Sequence, residues 1–258
     1  MFLEIFFVNL PNKSNQIIMK KNFILAAIAL ALTACGNKQT ETQTTVVENP
    51  KMTDCDFTFG NVHFTKALNG ADLQVTDSAG IVTFRAKPHA DYFNDPNDGK
   101  LSQDNSAILL TEVDNTKPFT FSAKMKPGFI KDGLYNAAAL FVYASDSLYQ
   151  KFCFEQDERG NHRVVTVRTI GTSDDNNHEV FNEAEFIYYK ISSDARTIAS
   201  YYSLDGKQWQ MVRLYKNNYP EKLYLGICSQ APQSDECVST FEELSLTTDN
   251  VGDFRMGE

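Results

Sequence analysis

Apolar and polar residues alternate in short runs over residues 53–247. A period of two predicts β-strands, because successive side chains of a strand point to opposite faces of its sheet. No stretch keeps a helical period over successive turns, so this part of the chain is predicted to be all-β. The predicted strands are 73–75, 81–86, 107–113, 119–125, 138–143, 149–156, 163–170, 186–191, 198–203, 209–214, 223–228 and 238–246.

Turn sequences separate these runs. Asp205-Gly206 lies between two apolar runs, a pattern that favours a β-hairpin. Many short strands in a body of this length predict two packed sheets, as in a β-sandwich or jelly roll. The other turn sequences are Asp98-Gly99, Pro127-Gly128 and Asp132-Gly133.

The N-terminal end has the layout of a secretory signal peptide. Lys20 and Lys21 precede a short apolar run at 23–31, and the sequence LTAC, which ends at Cys35, follows that run. The segment resembles a bacterial lipoprotein precursor, in which Cys35 becomes the lipid-carrying N-terminus. A transmembrane helix is the alternative, but the apolar run has only about half of the ~20 residues that such a helix needs.

The segments that follow the signal differ in composition. Residues 36–52 are polar and rich in threonine, which predicts a flexible tether, with an edge strand at 44–48 as the alternative. Met19 opens a complete signal by itself and is an alternative start of the protein. The predicted organisation is a signal peptide at 1–34, a lipidated tether at 35–52, a β-sandwich domain at 53–247 and a loose tail at 248–258.

The charge of the chain argues against a nucleic-acid partner. The full chain has a formal net charge of −9. The signal segment carries three lysines and one glutamate, so the mature chain has a net charge of −11. Phosphate binding needs a basic surface, which a chain of this acidity does not predict.

Several segments, taken in order, resemble a known family. The matching segments are HADYF at 89–93, YNAAALFV at 135–142, YQKFCFE at 149–155, YSLDGKQW at 202–209 and GICS at 226–229, with Arg213 and Phe241. They are similar to the concanavalin A-like β-sandwich family named after a fungal "regulation of enolase" protein (domain of unknown function 1349). The resemblance covers residues 57–246 and implies two curved sheets with one concave face, but no established reaction. The chain departs from the family at Phe93, where Trp is common, and at Ala137, where the family has a polar residue.

The predicted strand at 149–156 carries the strongest candidate site. Its period of two places Phe152 and Phe154 between the sheets, and Lys151, Cys153 and Glu155 on the other surface. That surface is the concave one if the family fold holds. We therefore expect Lys151 and Glu155 to lie together on a solvent-reachable face.

Glu155 and Asp157 invite comparison with retaining glycosidases, whose two carboxylates lie about 5 Å apart. Related sandwich glucanases have a third acidic residue further along, but Arg159 and Gly160 occupy those positions here. Residues 157–160 also have the composition of a hairpin turn. Three interpretations stay open: hydrolysis by Glu155 and Asp157, an ion pair between Lys151 and Glu155, and ligand binding.

The segment at 91–95 mixes carboxylates and aromatic rings, as sugar sites do, although its rings could also pack on the edge of the sandwich.

The acidic segment at 174–178 predicts a solvated turn, with a Ca²⁺ loop as the alternative. The histidines have no zinc-ligand spacing, so no other metal or cofactor is expected. Trp209 is expected to pack in the core or a hairpin. The predicted ligand-binding residues are Asp91, Tyr92, Asn136, Lys151, Glu155 and Arg168.

Four cysteines remain when Cys35 carries a lipid, and an exported protein can pair them. Cys228 and Cys237 flank a short loop and are the best-placed pair, although other pairings with Cys55 and Cys153 stay open. Cys153 could instead be a packed thiol.

These observations give two function hypotheses. The first is a lipid-anchored protein of the bacterial outer membrane that binds a glycan or glycoconjugate without catalysis. Gly36, rather than an aspartate, follows the lipidated cysteine, as in the lipoproteins of the outer membrane that it resembles. The second is a glycan hydrolase or lyase that uses Glu155 with Asp157, Asp91 or Lys151. A structural subunit of an envelope complex is a third alternative.

Overall fold

The computed structural model describes Asn49 and residues 51–258. These residues form two large antiparallel sheets packed face to face, so the predicted all-β, two-sheet concanavalin A-like sandwich is confirmed. No helix in the described part of the chain is long and apolar enough to cross a membrane. The predicted signal peptide, Cys35 and the segment 44–48 lie outside the described residues.

One sheet has eight strands. Their spatial order is β1 (Met52–Phe59), β2 (Val62–Leu68), β7 (Ile108–Asp114), β16 (Lys222–Gln230), β9 (Ala137–Ser145), β10 (Leu148–Gln156), β11 (His162–Ile170) and β12 (Thr172–Val180).

The other large sheet has seven strands. Their spatial order is β15 (Gln210–Lys216), β14 (Thr197–Ser203), β13 (Ile187–Ser193), β8 (Phe119–Lys126), β17 (Cys237–Thr247), β4 (Ile81–Ala86) and β3 (Val75–Ser78). A short ribbon of β5 (Tyr92–Phe93) and β6 (Gln103–Asp104) and a 3₁₀ turn at Ala71–Leu73 complete the fold.

The main core lies between the two sheets. Phe152 and Phe154 of β10 are fully buried there, beside residues of the opposite sheet such as Phe121 and Tyr189. The rings of Phe152 and Tyr189 stack with centroids 3.7 Å apart, and the Tyr189 hydroxyl donates a hydrogen bond to the Cys153 carbonyl. The predicted phase of β10 is therefore confirmed.

The eight-stranded sheet also has a second apolar cluster on its outer face, the face turned away from the main core. Tyr92 of β5 packs over this face, with its ring centroid 5.1 Å from that of Tyr149 and 6.1 Å from that of Phe141. Strand β9 is consequently buried from Ala137 to Tyr143, on both faces of the sheet. The β5–β6 ribbon thus covers part of the surface that the sequence predicted to be open.

Some strand predictions are wrong. Leu73 belongs to the 3₁₀ turn and its side chain is 84% exposed, so the third strand begins only at Val75. Five strands were not predicted: β1, β2, the two short strands β5 and β6, and β12. The segment predicted as an acidic turn, 174–178, lies instead within β12, where successive side chains point to opposite faces of the sheet.

The C-terminal residues differ from the expected loose tail. The Tyr201 hydroxyl donates a hydrogen bond to the Phe254 carbonyl at 2.8 Å, and Lys190 Nζ donates one to the Gly257 carbonyl at 2.5 Å. Val251 packs with Tyr201 and Trp209 against the outer surface of the seven-stranded sheet. The end of the chain is thus part of the folded body, and Trp209 packs beneath it.

The four cysteines of the described residues are free thiols. The expected hairpin geometry for Cys228 and Cys237 is wrong, because β16 and β17 belong to different sheets. Burial raises the pKa of both thiols, to about 12 for Cys228, and disfavours their thiolates. Cys153 is buried on the outer face of its sheet, in keeping with a packed thiol.

Candidate functional site

A small cavity on the outer face of the eight-stranded sheet, which we call the polar pocket, has a volume of about 180 Å³. Strands β10, β11, β12 and β16, the β5–β6 segment and the loop before β9 contribute residues to its lining. Its lining includes Asp91, Phe93, Leu101, Gln103, Tyr135, Lys151, Glu155, Glu158, Arg163, Val165, Val167, Asp175, Asn177, Gln230, Pro232 and Gln233.

Lys151 and Glu155 share this pocket, as the strand period predicted. They are much less accessible than expected: Lys151 is 2% exposed and Glu155 is 5% exposed. The cause is the cover formed by the β5–β6 segment, which no periodicity in the sequence reveals. Charged groups this deeply buried need partners.

Each charge has a partner, and the partners differ from those expected. Lys151 Nζ lies 2.7 Å from Asp91 Oδ1 and donates a second hydrogen bond to Gln230 Oε1 at 3.1 Å. Arg163 Nη2 lies 3.0 Å from Glu155 Oε1. The expected ion pair between Lys151 and Glu155 is therefore wrong as a direct contact.

Gln230 links the two ion pairs. It accepts from Lys151, and its amide lies 3.5 Å from Glu155 Oε2 and 3.0 Å from the Tyr135 carbonyl, to which it donates a hydrogen bond. The register explains this arrangement, because Ala137 of β9 pairs with both Gln230 of β16 and Glu155 of β10. A continuous polar network thus runs across the strands beneath the pocket.

Arg163 is a site residue that the sequence analysis missed. It lies directly opposite Glu155 in the β10–β11 hairpin, and its Nη1 atom lies 3.2 Å from Glu158 Oε2. The turn predicted at 157–160 would have placed Arg163 in this position, so the signal was present. The residue predicted instead, Arg168, lies on the opposite face of β11, 4.4 Å from the ring centroid of Tyr215.

Two other predicted ligand-binding residues also lie away from the pocket. Tyr92 of β5 is fully buried against the sheet, and its hydroxyl donates a hydrogen bond to the Asp146 carboxylate. Asn136 is fully buried; its side-chain amide donates a hydrogen bond to the Glu236 carbonyl, and its side-chain oxygen accepts one from the Ser234 hydroxyl. Their predicted placement on the ligand surface is wrong, because both side chains are buried and bonded to other groups of the protein.

Asp157, the second weak catalytic candidate, stabilises a turn. Its carboxylate accepts hydrogen bonds from the amides of Arg159 and Asn161, both at 2.8 Å, and from the Asn161 side chain at 3.1 Å. Burial opposes ionisation of Asp157, but these hydrogen bonds outweigh it and lower the pKa. The hairpin turn is thus confirmed, and Asp157 is not among the residues that line the polar pocket with Glu155.

The pocket changes the acid–base behaviour of Glu155. Burial raises the pKa of this carboxyl to about 7, although Lys151 and Arg163 act in the opposite direction. For Lys151, burial lowers the pKa, but the carboxylate of Asp91 outweighs burial and the pKa lies above its ordinary value. Glu155 therefore exchanges its proton near neutral pH, whereas Lys151 stays charged.

Two side chains that line the pocket each have a polar atom without a hydrogen-bond partner. Gln103 Oε1 and Arg163 Nε are buried and have no hydrogen-bond partner among the described residues. Phe93 presents its ring 5.9 Å from Lys151 Nζ. Tyr135 lies in the left-handed region with φ of 63°, a conformation that bulky residues keep mainly at constrained or functional positions.

A metal centre has no support in this part of the chain. Among the residues that the structure describes, no group of three His, Cys, Asp or Glu side chains could hold a metal ion. The pocket's acceptors are instead matched to Lys151 and Arg163. Its chemistry is that of a small, charged cavity with an aromatic wall and hydrogen-bonding groups of both kinds.

A larger cavity, of about 730 Å³, lies elsewhere and includes Met52, Tyr143 and Tyr224 in its lining. Its lysines are bound to carboxylates at the surface, for example Lys222 to Glu112 at 2.9 Å. The polar pocket differs from this cavity in its buried ion pairs, Lys151 with Asp91 and Arg163 with Glu155, and such buried charges commonly mark functional sites.

Solved structures with the same fold include proteins from yeast and bacteria. A functionally unknown protein from Saccharomyces cerevisiae is 23% identical, with a TM-score of 0.64, and the match covers 72% of this chain and 96% of that one. The GH43 BlXynB protein from Bacillus licheniformis is 15% identical, with a TM-score of 0.53 over 78% of this chain. GH43B of the xyloglucan PUL of Bacteroides ovatus is 12% identical, with a TM-score of 0.53 over 76% of this chain.

The chain spans only part of the two GH43 proteins, 40% and 39% of their respective lengths. At these identities the likeness shows the fold alone. No curated protein matches the sequence. The family model described as "Protein of unknown function (DUF1349)" matches residues 70–249, which is more than half of the chain, and the chain therefore belongs to this family.

Proposed function

We propose that the protein binds a carbohydrate and that the polar pocket holds one sugar ring of it. The observation that carries this proposal is the pocket itself, which is lined by buried ion-paired side chains, by side chains that have an unpartnered polar atom and by the Phe93 ring. Aromatic faces pack on sugar rings, while polar groups fix the hydroxyls. The fold, which is shared with GH43 proteins, is compatible with this use.

The volume limits what can enter. A cavity of about 180 Å³ is smaller than the roughly 300–1,000 Å³ of pockets for drug-sized ligands. It is suited to a single ring at the end or edge of a glycan, with the rest of the chain outside. We therefore expect recognition of a terminal or branching sugar.

A glycan array probed with the purified full chain tests the proposal. We expect binding to glycans that share one terminal or branching sugar. Arg163→Gln should weaken this binding by at least about tenfold, because it removes a charged donor inside the pocket. Arg168→Gln is the matched control, on the same strand but the opposite face, and should bind as the unchanged protein does. Equal loss in both variants, or no binding to any glycan, would contradict the proposal.

A second candidate function is a glycan hydrolase or lyase. The observation that favours it is Glu155, whose pKa of about 7 suits a general acid or base at neutral pH. The glycans that bind should be incubated with the protein and with Glu155→Gln, which cannot transfer a proton. Product release that disappears in Glu155→Gln supports catalysis, and intact glycan in both samples supports binding alone.

We further propose that the protein is a lipoprotein of the bacterial outer membrane, anchored through Cys35. The support is the sequence alone, namely the lysines, the apolar run and the small residues before this cysteine. Cys35→Ser should abolish labelling by radioactive palmitate and release the protein from the membrane fraction or leave an uncleaved precursor. Labelling and fractionation that do not change would contradict the anchor.

A further inference from the structure

The charges that line the polar pocket are unequal in number. Two cations face four carboxylates, and both cations are already bound. The cations are Lys151 and Arg163, and the carboxylates are those of Asp91, Glu155, Glu158 and Asp175.

An anionic ligand would find no unpaired cation in this lining. Lys151 is held by Asp91 at 2.7 Å, and Arg163 is held by Glu155 at 3.0 Å and Glu158 at 3.2 Å. To bind a second negative group, the protein would have to break a buried pair or place like charges together. Either change is costly where solvent is excluded.

The pocket already resists one of its own negative charges. Burial raises the pKa of Glu155 to about 7 although two cations lie nearby, so the site stabilises this carboxylate less well than water does. A ligand carboxylate, phosphate or sulfate that enters the pocket would also lose water and would face the carboxylates of its lining.

Asp175 extends this negative lining to the pocket's edge. It lies on β12 opposite Val167, on the outer face of the sheet. Its neighbour Asp174 points to the other face, where it lies 3.3 Å from Arg213 Nη2. The two aspartates therefore carry the same charge on one strand, but only one of them faces the pocket.

We propose that the polar pocket selects uncharged or amino-bearing sugars and rejects sugars that carry a carboxylate, phosphate or sulfate. This inference rests on the proposed carbohydrate binding and narrows its ligand class. The paired cations fix the sugar hydroxyls, and the surplus carboxylates, with Asp175 at the edge, set the charge preference.

Matched glycans test this selection. The purified full chain should be titrated with a neutral glycan that it binds and with the same glycan in which the bound sugar is the corresponding uronate or amino sugar. We expect the uronate to bind at least about tenfold more weakly and the amino sugar to bind no more weakly than the neutral one. A uronate that binds as well as the neutral glycan would overturn the inference but leave the carbohydrate proposal intact. Failure of every glycan to bind would refute both.

The aspartate pair supplies the control. Asp175→Asn should reduce the ratio of the affinity for the neutral glycan to the affinity for the uronate glycan by about threefold, because it removes one negative charge several ångströms from the ligand. Asp174→Asn removes the same charge from the other face and should leave the ratio unchanged. An equal effect in both variants would contradict the assignment of Asp175 to the pocket's charge preference.

Discussion

Replacing Glu155 by glutamine tests the electrostatics of the polar pocket through the stability of the fold. Burial raises the pKa of Glu155 from the ordinary 4.5 to about 7. The folded protein therefore holds this proton more tightly than the unfolded chain does. The resulting stabilisation is fully present below about pH 4.5 and is lost as the pH rises through about 7.

The size of the effect follows from the two pKa values. Between about pH 5 and pH 8 the Glu155 carboxyl should lower the free energy of unfolding by about 2–3 kcal/mol. Glutamine has the shape of the protonated acid and stays neutral at every pH. The Glu155→Gln variant lacks this pH-dependent loss. The free energy of unfolding of the variant minus that of the unchanged protein should therefore rise by about 2–3 kcal/mol between about pH 5 and pH 8.

Urea unfolding of the full chain at several pH values measures this difference. Glu158→Gln is the matched control, because Glu158 binds the same guanidinium as Glu155 from the exposed side. A hydrogen bond from its own backbone amide, opposed by burial and aided by Tyr135 and Arg163, lowers the pKa of Glu158. Its contribution is present above the ordinary pKa and is lost only on acidification, so this variant should show little change between pH 5 and pH 8. If the difference in unfolding free energy between Glu155→Gln and the unchanged protein also stays constant between about pH 5 and pH 8, the reasoning is refuted.

Three further predictions concern stability. Lys151→Met should lower the free energy of unfolding by about 3 kcal/mol, because it leaves the carboxylate of Asp91 buried without its ion-pair partner. The double variant that also carries Asp91→Asn should recover much of this loss in a denaturant titration. Deletion of residues 249–258 should expose the single tryptophan, which a red shift of its fluorescence would reveal; an unchanged spectrum would contradict the packing of this segment. A chain that starts at residue 53 should melt below one that starts at Asn49, whose side chain donates hydrogen bonds to a tyrosine and an aspartate of the body. Equal melting temperatures would show that these bonds contribute nothing.

The period of two was sufficient to predict the fold and the phase of the central site strand. The residues of β10 alternate between aromatic and charged, which placed Phe152 and Phe154 in the core and Lys151 and Glu155 outside it. Strand β12, TSDDNNHEV, was not predicted because it has almost no apolar residue and so shows no alternation of apolar and polar positions. It is an edge strand that forms through pairing with β11, which no local pattern encodes.

Strand register and the positions of loops determine which side chains contact the charged residues of the polar pocket. The β10–β11 turn predicts that Arg163 faces Glu155, whereas Arg168 lies on the opposite face from the pocket. The two-residue strand β5 is too short for its phase to be read, so the sequence could not tell that Tyr92 is buried and Phe93 lines the pocket. The cover over Lys151 and Glu155 arises from long-range packing of this segment, and the burial of both side chains could not be predicted.

A crystal structure of the protein with a glycan that it binds tests the central claim most directly. The account predicts one sugar ring in the polar pocket, against Phe93 and within hydrogen-bonding distance of Arg163, Gln103 or Gln230. A sugar bound instead in the larger cavity beside Tyr143 and Tyr224, with the polar pocket unoccupied, would contradict it.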